Sequence, residues 1–273
     1  MKRILVTLVT VVGLIINLGV VAAPSAEQTA PQPKIKSIDA PKRVMFVGNS
    51  FSYFNNGIAN HYSNLVRASG AWEKGEYGSR LKTISGGRLH EHVPGVANLL
   101  KLPGDNHWDV VVLQDYSNGP IKSKSRKAFK QASAELSKMV RAHAAKPVFF
   151  MTWGYKGNAA MTTELRDAYV RQGNALNMLV VPVGLAFAAA QQSHPDIELY
   201  SKDVQGFGAE GKVIYRSVEK HPSVAGTYLA ACTFYASLQG KTPDGLPYTA
   251  DLPAKQVKAL QQIAWQTSQQ FYQ

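Results

Sequence analysis

The chain has 273 residues, with 30 lysines and arginines against 18 acidic residues, a net charge of +12, and one cysteine. A lone cysteine excludes an intramolecular disulfide, so the fold must rest on its core. The basic balance suits anionic partners, but no nucleic-acid-binding motif accompanies it and no nucleic acid is expected.

Lys2 and Arg3 precede an almost wholly apolar run, Ile4 to Val21, and small residues follow at Ala22, Ala23, Ser25 and Ala26. That order describes a secretory signal peptide over 1–26, and a secreted or periplasmic product. The same run is long enough to act as an uncleaved anchor. The stretch "APSAEQTAPQPK" then reads as part of a Pro-rich linker over 27–41. Residues 42–273 suit one α/β domain.

Apolar runs and helix-period stretches alternate from there. "RVMFVG" (43–48) reads as a buried strand and 57–69 as a helix; "RLKTIS" (80–85) is a short strand. A helical piece with Val96, Leu99 and Leu100 leads to "WDVVVLQ" (108–114), the clearest strand in the chain. Phe129, Ala132, Leu136 and Val140 recur at helical spacing before "PVFFMTW" (147–153). A helix over 163–177, a strand over 177–184 and helices over 222–238 and 254–271 complete the order. Cys232 falls within an apolar helical run, where packing is its expected role. Near-continuous apolar strands alternating with helices imply a parallel sheet covered on both faces. Five strands suit the doubly wound, flavodoxin-like order 2-1-3-4-5, whose ligands sit beyond the carboxyl ends of strands 1 and 3. Ser50 leaves strand 1 and Asn118 leaves strand 3, so both are expected at that crevice.

A serine nucleophile needs a base, and the base needs a third group to hold its tautomer. His61, His107, His143 and His194 read as surface or packing residues. "HEH" (90–92) offers two imidazoles without a third ligand, a poor metal site. His221 differs. It stands in "KHPSVAGTYLAA", on the loop entering a late helix whose first turn accepts Pro222.

These segments carry a resemblance. "VGNSFS" resembles the first block of the SGNH (GDSL-type) hydrolase superfamily, with Asn49 for the usual Asp and Phe51 for the usual Leu. "ISGGRL" is similar to the second block, "VVLQDYSN" to the third and "HPSVAGTYLAA" to the last; the four occur in family order across 44–231. The resemblance implies a serine esterase needing no metal or cofactor. Its catalytic residues would be Ser50 and His221, its oxyanion hole the Ser50 and Gly86 N–H groups and the Asn118 side chain. Its substrate would be a small-molecule or glycan ester.

The departures are specific. Tyr116 and Gly119 replace the residues normally flanking the third block's asparagine region. Val218 stands where the family's acid normally precedes the histidine by three. Glu219 and Asp203 are the alternatives. The segment "VQGFGAEGKVIY" (204–215) reads as a hairpin inserted within the motif, which would return Asp203 to the neighbourhood of 216–218 and His221. Asp203 is therefore the favoured acid. Ser52, where an α/β-hydrolase elbow wants glycine, excludes that class.

Two other readings compete. A flavodoxin-like protein would use "NSFSYFNN" to hold a cofactor phosphate. A non-catalytic glycan-binding module would use Tyr53, Trp153 and Tyr155 as stacking surfaces. Separately, Lys122, Lys124, Arg126, Lys127 and Lys130 could meet an anionic surface or form a solvated helix start.

Overall fold

A computed structural model of the protein describes residues 30–101 and 107–273. The expected signal segment lies outside the described residues. Strands β1 (Arg43–Gly48), β2 (Gly78–Thr83), β3 (Val110–Leu113), β4 (Lys146–Phe150) and β5 (Leu179–Val181) form one sheet in the order β2-β1-β3-β4-β5. Every pairing in it is parallel. Parallel strands need crossover connections, and helices supply them.

Alternation along each strand explains the layering. Val44 and Phe46 of β1, with Val110 and Val112 of β3, belong to one core. Four helices cover that face: α2 (Ile58–Ala68), α6 (Val183–Ser193), α7 (Val224–Gln239) and α8 (Ala254–Tyr272). Met45, Val47, Val111 and Leu113 point the other way, into a second core. Helices α3 (Val93–Leu100), α4 (Ser123–Ala142) and α5 (Ala159–Leu176) pack there. Strands buried on both sides cannot alternate apolar with polar residues, which is why they read as continuous runs. Helix α7 is buried almost throughout, Cys232 included.

Three expectations are corrected. The run over 177–184 contains two elements, because β5 ends at Val181 and α6 begins at Val183 behind Pro182. Proline has no N–H for a ladder and is tolerated at a helix start. β4 likewise ends at Phe150; Met151 and Trp153 stay fully buried without strand structure. The segment 31–41 is no free linker. Pro33 is buried and Ile35 and Ile38 pack against the core. The Lys34 N–H donates to Asn174 Oδ1 at 2.7 Å, and Asn174 Nδ2 donates to the Gln32 carbonyl at 2.8 Å.

Candidate active site

The chain leaves β1 at Gly48 and turns at once into a four-residue helix, α1 (Ser50–Tyr53), with Asn49 as its cap. Asn49 Oδ1 accepts from the Phe51 N–H at 3.2 Å, while its Nδ2 donates to the Gly87 carbonyl at 3.0 Å. Gln114, at the end of β3, holds this turn from beneath. Its Oε1 accepts from the Asn49 N–H at 3.0 Å and from Ser52 Oγ at 2.8 Å. Its Nε2 donates to Asn49 Oδ1 at 2.8 Å and to the Asp115 carbonyl at 2.6 Å. Gln114 is fully buried, so each of these bonds replaces water that cannot enter. A Cβ on Gly48 would lie 2.2 Å from Gln114 Oε1, so the close approach requires glycine.

His221 reaches Ser50 from 171 residues further along the chain. Its Nε2 lies 2.8 Å from Ser50 Oγ, and its Nδ1 lies 2.6 Å from Asp203 Oδ1. An ionised carboxylate only accepts, so Nδ1 carries the hydrogen and Nε2 faces the hydroxyl as a base. The Phe54 ring stacks on the imidazole with centroids 4.3 Å apart, and Phe51 meets it edge-on at 5.8 Å. The loop is pinned at both flanks. Trp153 Nε1 donates to the Lys220 carbonyl at 2.9 Å, and Asn55 Nδ2 donates to the Pro222 carbonyl at 2.8 Å.

Asp203 arrives by the insertion. Strands β6 (Val204–Phe207) and β7 (Val213–Tyr215) pair antiparallel around a short turn. At the base of this hairpin the Arg216 N–H donates to the Asp203 carbonyl at 2.8 Å, and the Ser201 N–H donates to the His221 carbonyl at 2.9 Å. The ladder thus closes over the insertion and brings Asp203 beside His221. Glu219 points elsewhere: Lys156 Nζ donates to its carboxylate at 2.8 Å.

No protein-family model and no curated protein matches the sequence. Solved structures do. A protein of Slackia heliotrinireducens, described as a candidate SGNH hydrolase, is 26% identical with a TM-score of 0.54, over 72% of this chain and 98% of its own. The chain belongs to the SGNH hydrolase superfamily. A DUF4886 family protein from Bacteroides uniformis shares the fold at a TM-score of 0.58 and 20% identity, over 82% of this chain and 93% of its own. An acetyl xylan esterase shares it at 0.52 and 13%, over 72% and 99%.

In this serine hydrolase the groups expected as an oxyanion hole separate. Ser50 and Gly86 line one cleft of about 590 Å³ together with His221 and Asp203. Gly86 has a φ of +63°, the left-handed region that glycine enters freely. Asn118 is not among the residues lining that cleft. It lines a different hollow with Arg88, His90 and Lys122, because the chain turns tightly between Tyr116 and Gly119. Tyr116 and Ser117 line the cleft instead. The signal was present in the sequence: Tyr116 and Gly119 are themselves the departures from the third block, and a glycine after Asn118 favours a turn.

The remaining candidates take structural places. Trp153 is fully buried between Phe51 and Phe187, with centroids at 4.5 and 4.1 Å, so it offers no stacking surface. Tyr155 Oη lies 2.8 Å from Ser117 Oγ. His61 is a core residue: its Nε2 donates to the Asn55 carbonyl at 2.7 Å and its Nδ1 accepts from Tyr248 Oη at 2.7 Å. Burial lowers its pKa, which keeps it neutral. Of the "HEH" pair, His90 is exposed and His92 buried, so the two diverge. Asp115 is buried, its Oδ1 accepting from the Leu89 N–H at 2.7 Å, and burial raises its pKa. The cations from Lys122 to Lys130 are all exposed around the start of α4.

Proposed function

We propose that the protein is an exported serine esterase that cleaves carboxylic esters through an acyl-enzyme, with O-acetyl groups on a glycan as the favoured substrate. The observation that carries this reading is the hydrogen-bonded chain Ser50–His221–Asp203, at 2.8 and 2.6 Å, where the sheet's winding reverses. His221 Nε2 takes the proton as Ser50 Oγ attacks the acyl carbon, and Asp203 stabilises the imidazolium that forms. The Ser50 and Gly86 N–H groups receive the oxyanion; among the described residues neither has an acceptor inside the protein. Collapse of the intermediate releases the alcohol with the proton from His221. Water, deprotonated by His221, then frees the acid.

The cleft supports a hydrophilic alcohol. Ser85, Ser117, Ser201 and Lys202 contribute to its wall, beside Phe51, Phe54 and Val204. The N-terminal pattern of 1–26 supports export. Turnover of 4-nitrophenyl acetate by the purified protein tests the activity. Steady release of nitrophenol by the parent, lost in Ser50→Ala, is expected; equal rates in both would remove the mechanism.

A further inference from the structure

The proposed catalytic cleft is lined by three cations that the mechanism does not use: Lys202, Arg216 and Lys220. None of them forms an ion pair with a carboxylate among the described residues. Among the described residues the only acid lining the cleft is Asp203, which is engaged with His221. The two glutamates nearest in sequence, Glu198 and Glu219, are both held by Lys156, at 2.7 and 2.8 Å. Aromatic faces hold two of the cations instead. The Lys220 ammonium lies 5.6 Å from the Tyr116 ring centroid and 5.9 Å from that of Tyr155, and Lys202 lies 5.7 Å from that of Tyr215. A cation over a ring stays available to a second, anionic partner.

Their placement is one-sided. Lys220 precedes His221, Lys202 precedes Asp203, and the Arg216 backbone is bonded to Asp203 across the hairpin base. All three therefore stand on the histidine limb of the cleft. His221 must protonate the leaving oxygen, so the alcohol part of an ester lies on this limb, while the carbonyl oxygen lies toward Gly86. A negative group on the bound alcohol would gain charge-assisted hydrogen bonds from these three cations.

We propose that the alcohol part of the natural substrate carries a negative charge, a carboxylate or a phosphate, and that Lys202, Arg216 and Lys220 receive it. The inference rests on the esterase reading above and narrows its substrate to esters of acidic alcohols. The hairpin insertion then has two roles: it brings the acid to His221 and carries part of the specificity-determining charge.

The test compares three acetate esters at low ionic strength: 4-acetoxybenzoate, 4-acetoxyphenyl phosphate and the neutral 4-acetoxybenzamide. Each kcat/KM is divided by that ester's own rate of hydroxide hydrolysis. The parent should favour at least one anionic ester on the order of ten-fold, chiefly through KM. Preference for the carboxylate points to an acidic sugar, and preference for the phosphate to a phosphorylated alcohol. The combined variant Lys202→Gln, Arg216→Gln, Lys220→Gln should lose that preference, as should the parent in about 0.5 M salt. Lys138→Gln, an exposed change on α4 outside the cleft, should keep it. Equal normalised rates in the parent, or a preference surviving in the combined variant, would overturn the proposal. If the parent turns over none of the three, the esterase reading fails, and an NMR titration with a galacturonate trimer and maltotriose decides separately. Binding of the acidic trimer alone, lost in the combined variant, supports the cationic limb. Binding of neither, or of both equally, refutes it.

Discussion

Replacing Asp203 by Asn isolates what the inserted hairpin contributes to catalysis. The change is nearly isosteric and removes one negative charge from an oxygen 2.6 Å from His221 Nδ1. Both side chains are largely enclosed, at 16% exposure for His221 and 11% for Asp203, so water screens the pair poorly. With charge centres about 4 Å apart and an effective dielectric near 20, the attraction for the imidazolium is about 4 kcal/mol. Lost from the transition state, that is roughly a 10³-fold fall in rate. The amide also permits the wrong imidazole tautomer, which pushes the loss toward ~10⁴-fold. The assay is kcat on a chromogenic acetate for the parent, Asp203→Asn and Glu219→Gln, each with a thermal melt to confirm folding. Glu219 is bound to Lys156 at the protein surface, and Glu219→Gln should stay within about two-fold. A crippled Glu219→Gln beside an active Asp203→Asn would refute the reasoning.

Three further outcomes follow from the same geometry. Gln114→Leu removes the partner of the buried Asn49 N–H and one of the two donors to Asn49 Oδ1. It should cost about 3 kcal/mol in urea unfolding, and an unchanged midpoint would contradict the scaffold role given to Gln114. Asn118→Ala should leave kcat within about two-fold, because Asn118 lines a different hollow from Ser50 and His221; a 10²-fold loss would restore it to the oxyanion hole. Burial, aided by the charge of Lys82, pushes His92 down from 6.5 to about 4. The unfolded chain takes this proton as pH falls through 6.5 while the folded imidazole stays neutral, so stability declines between pH 6.5 and 4 by about 3 kcal/mol from this group. His92→Leu should flatten that decline in urea titrations at stepped pH, and an identical slope would show that His92 is not the cause.

Much of the fold was legible because it rests on burial. Strands covered on both faces must be apolar throughout, and five such runs separated by helical stretches leave few topologies. The ends of the runs were less legible. Met151, Trp153 and Val183 are as buried as the strands they follow, and apolarity reports burial rather than ladder hydrogen bonds. The place of Asp203 beside His221 could be read because a hairpin is a local device: alternation around Gly-Ala-Glu-Gly closes on itself, and its ends must meet. Asn118 failed for the opposite reason. Its match was by type, while the turn formed by its neighbours sets it in the lining of a different hollow. Gln114 and the cations of the histidine limb act through spatial neighbours drawn from strands and loops far apart in the chain. Only the folded chain reveals those neighbours.

The central claim, that Ser50 is the nucleophile of an acyl-enzyme, is tested most directly by covalent capture. A fluorophosphonate loses fluoride to an activated serine oxygen and leaves a stable phosphonyl adduct on it. Treated protein is digested, the adduct is located by peptide mass spectrometry, and residual ester hydrolysis is followed in the same samples. The account predicts one adduct per chain, on the peptide containing Ser50, with activity falling in proportion to labelling and no adduct in Ser50→Ala or His221→Ala. An adduct on another serine, or hydrolysis that persists in fully labelled protein, would contradict it.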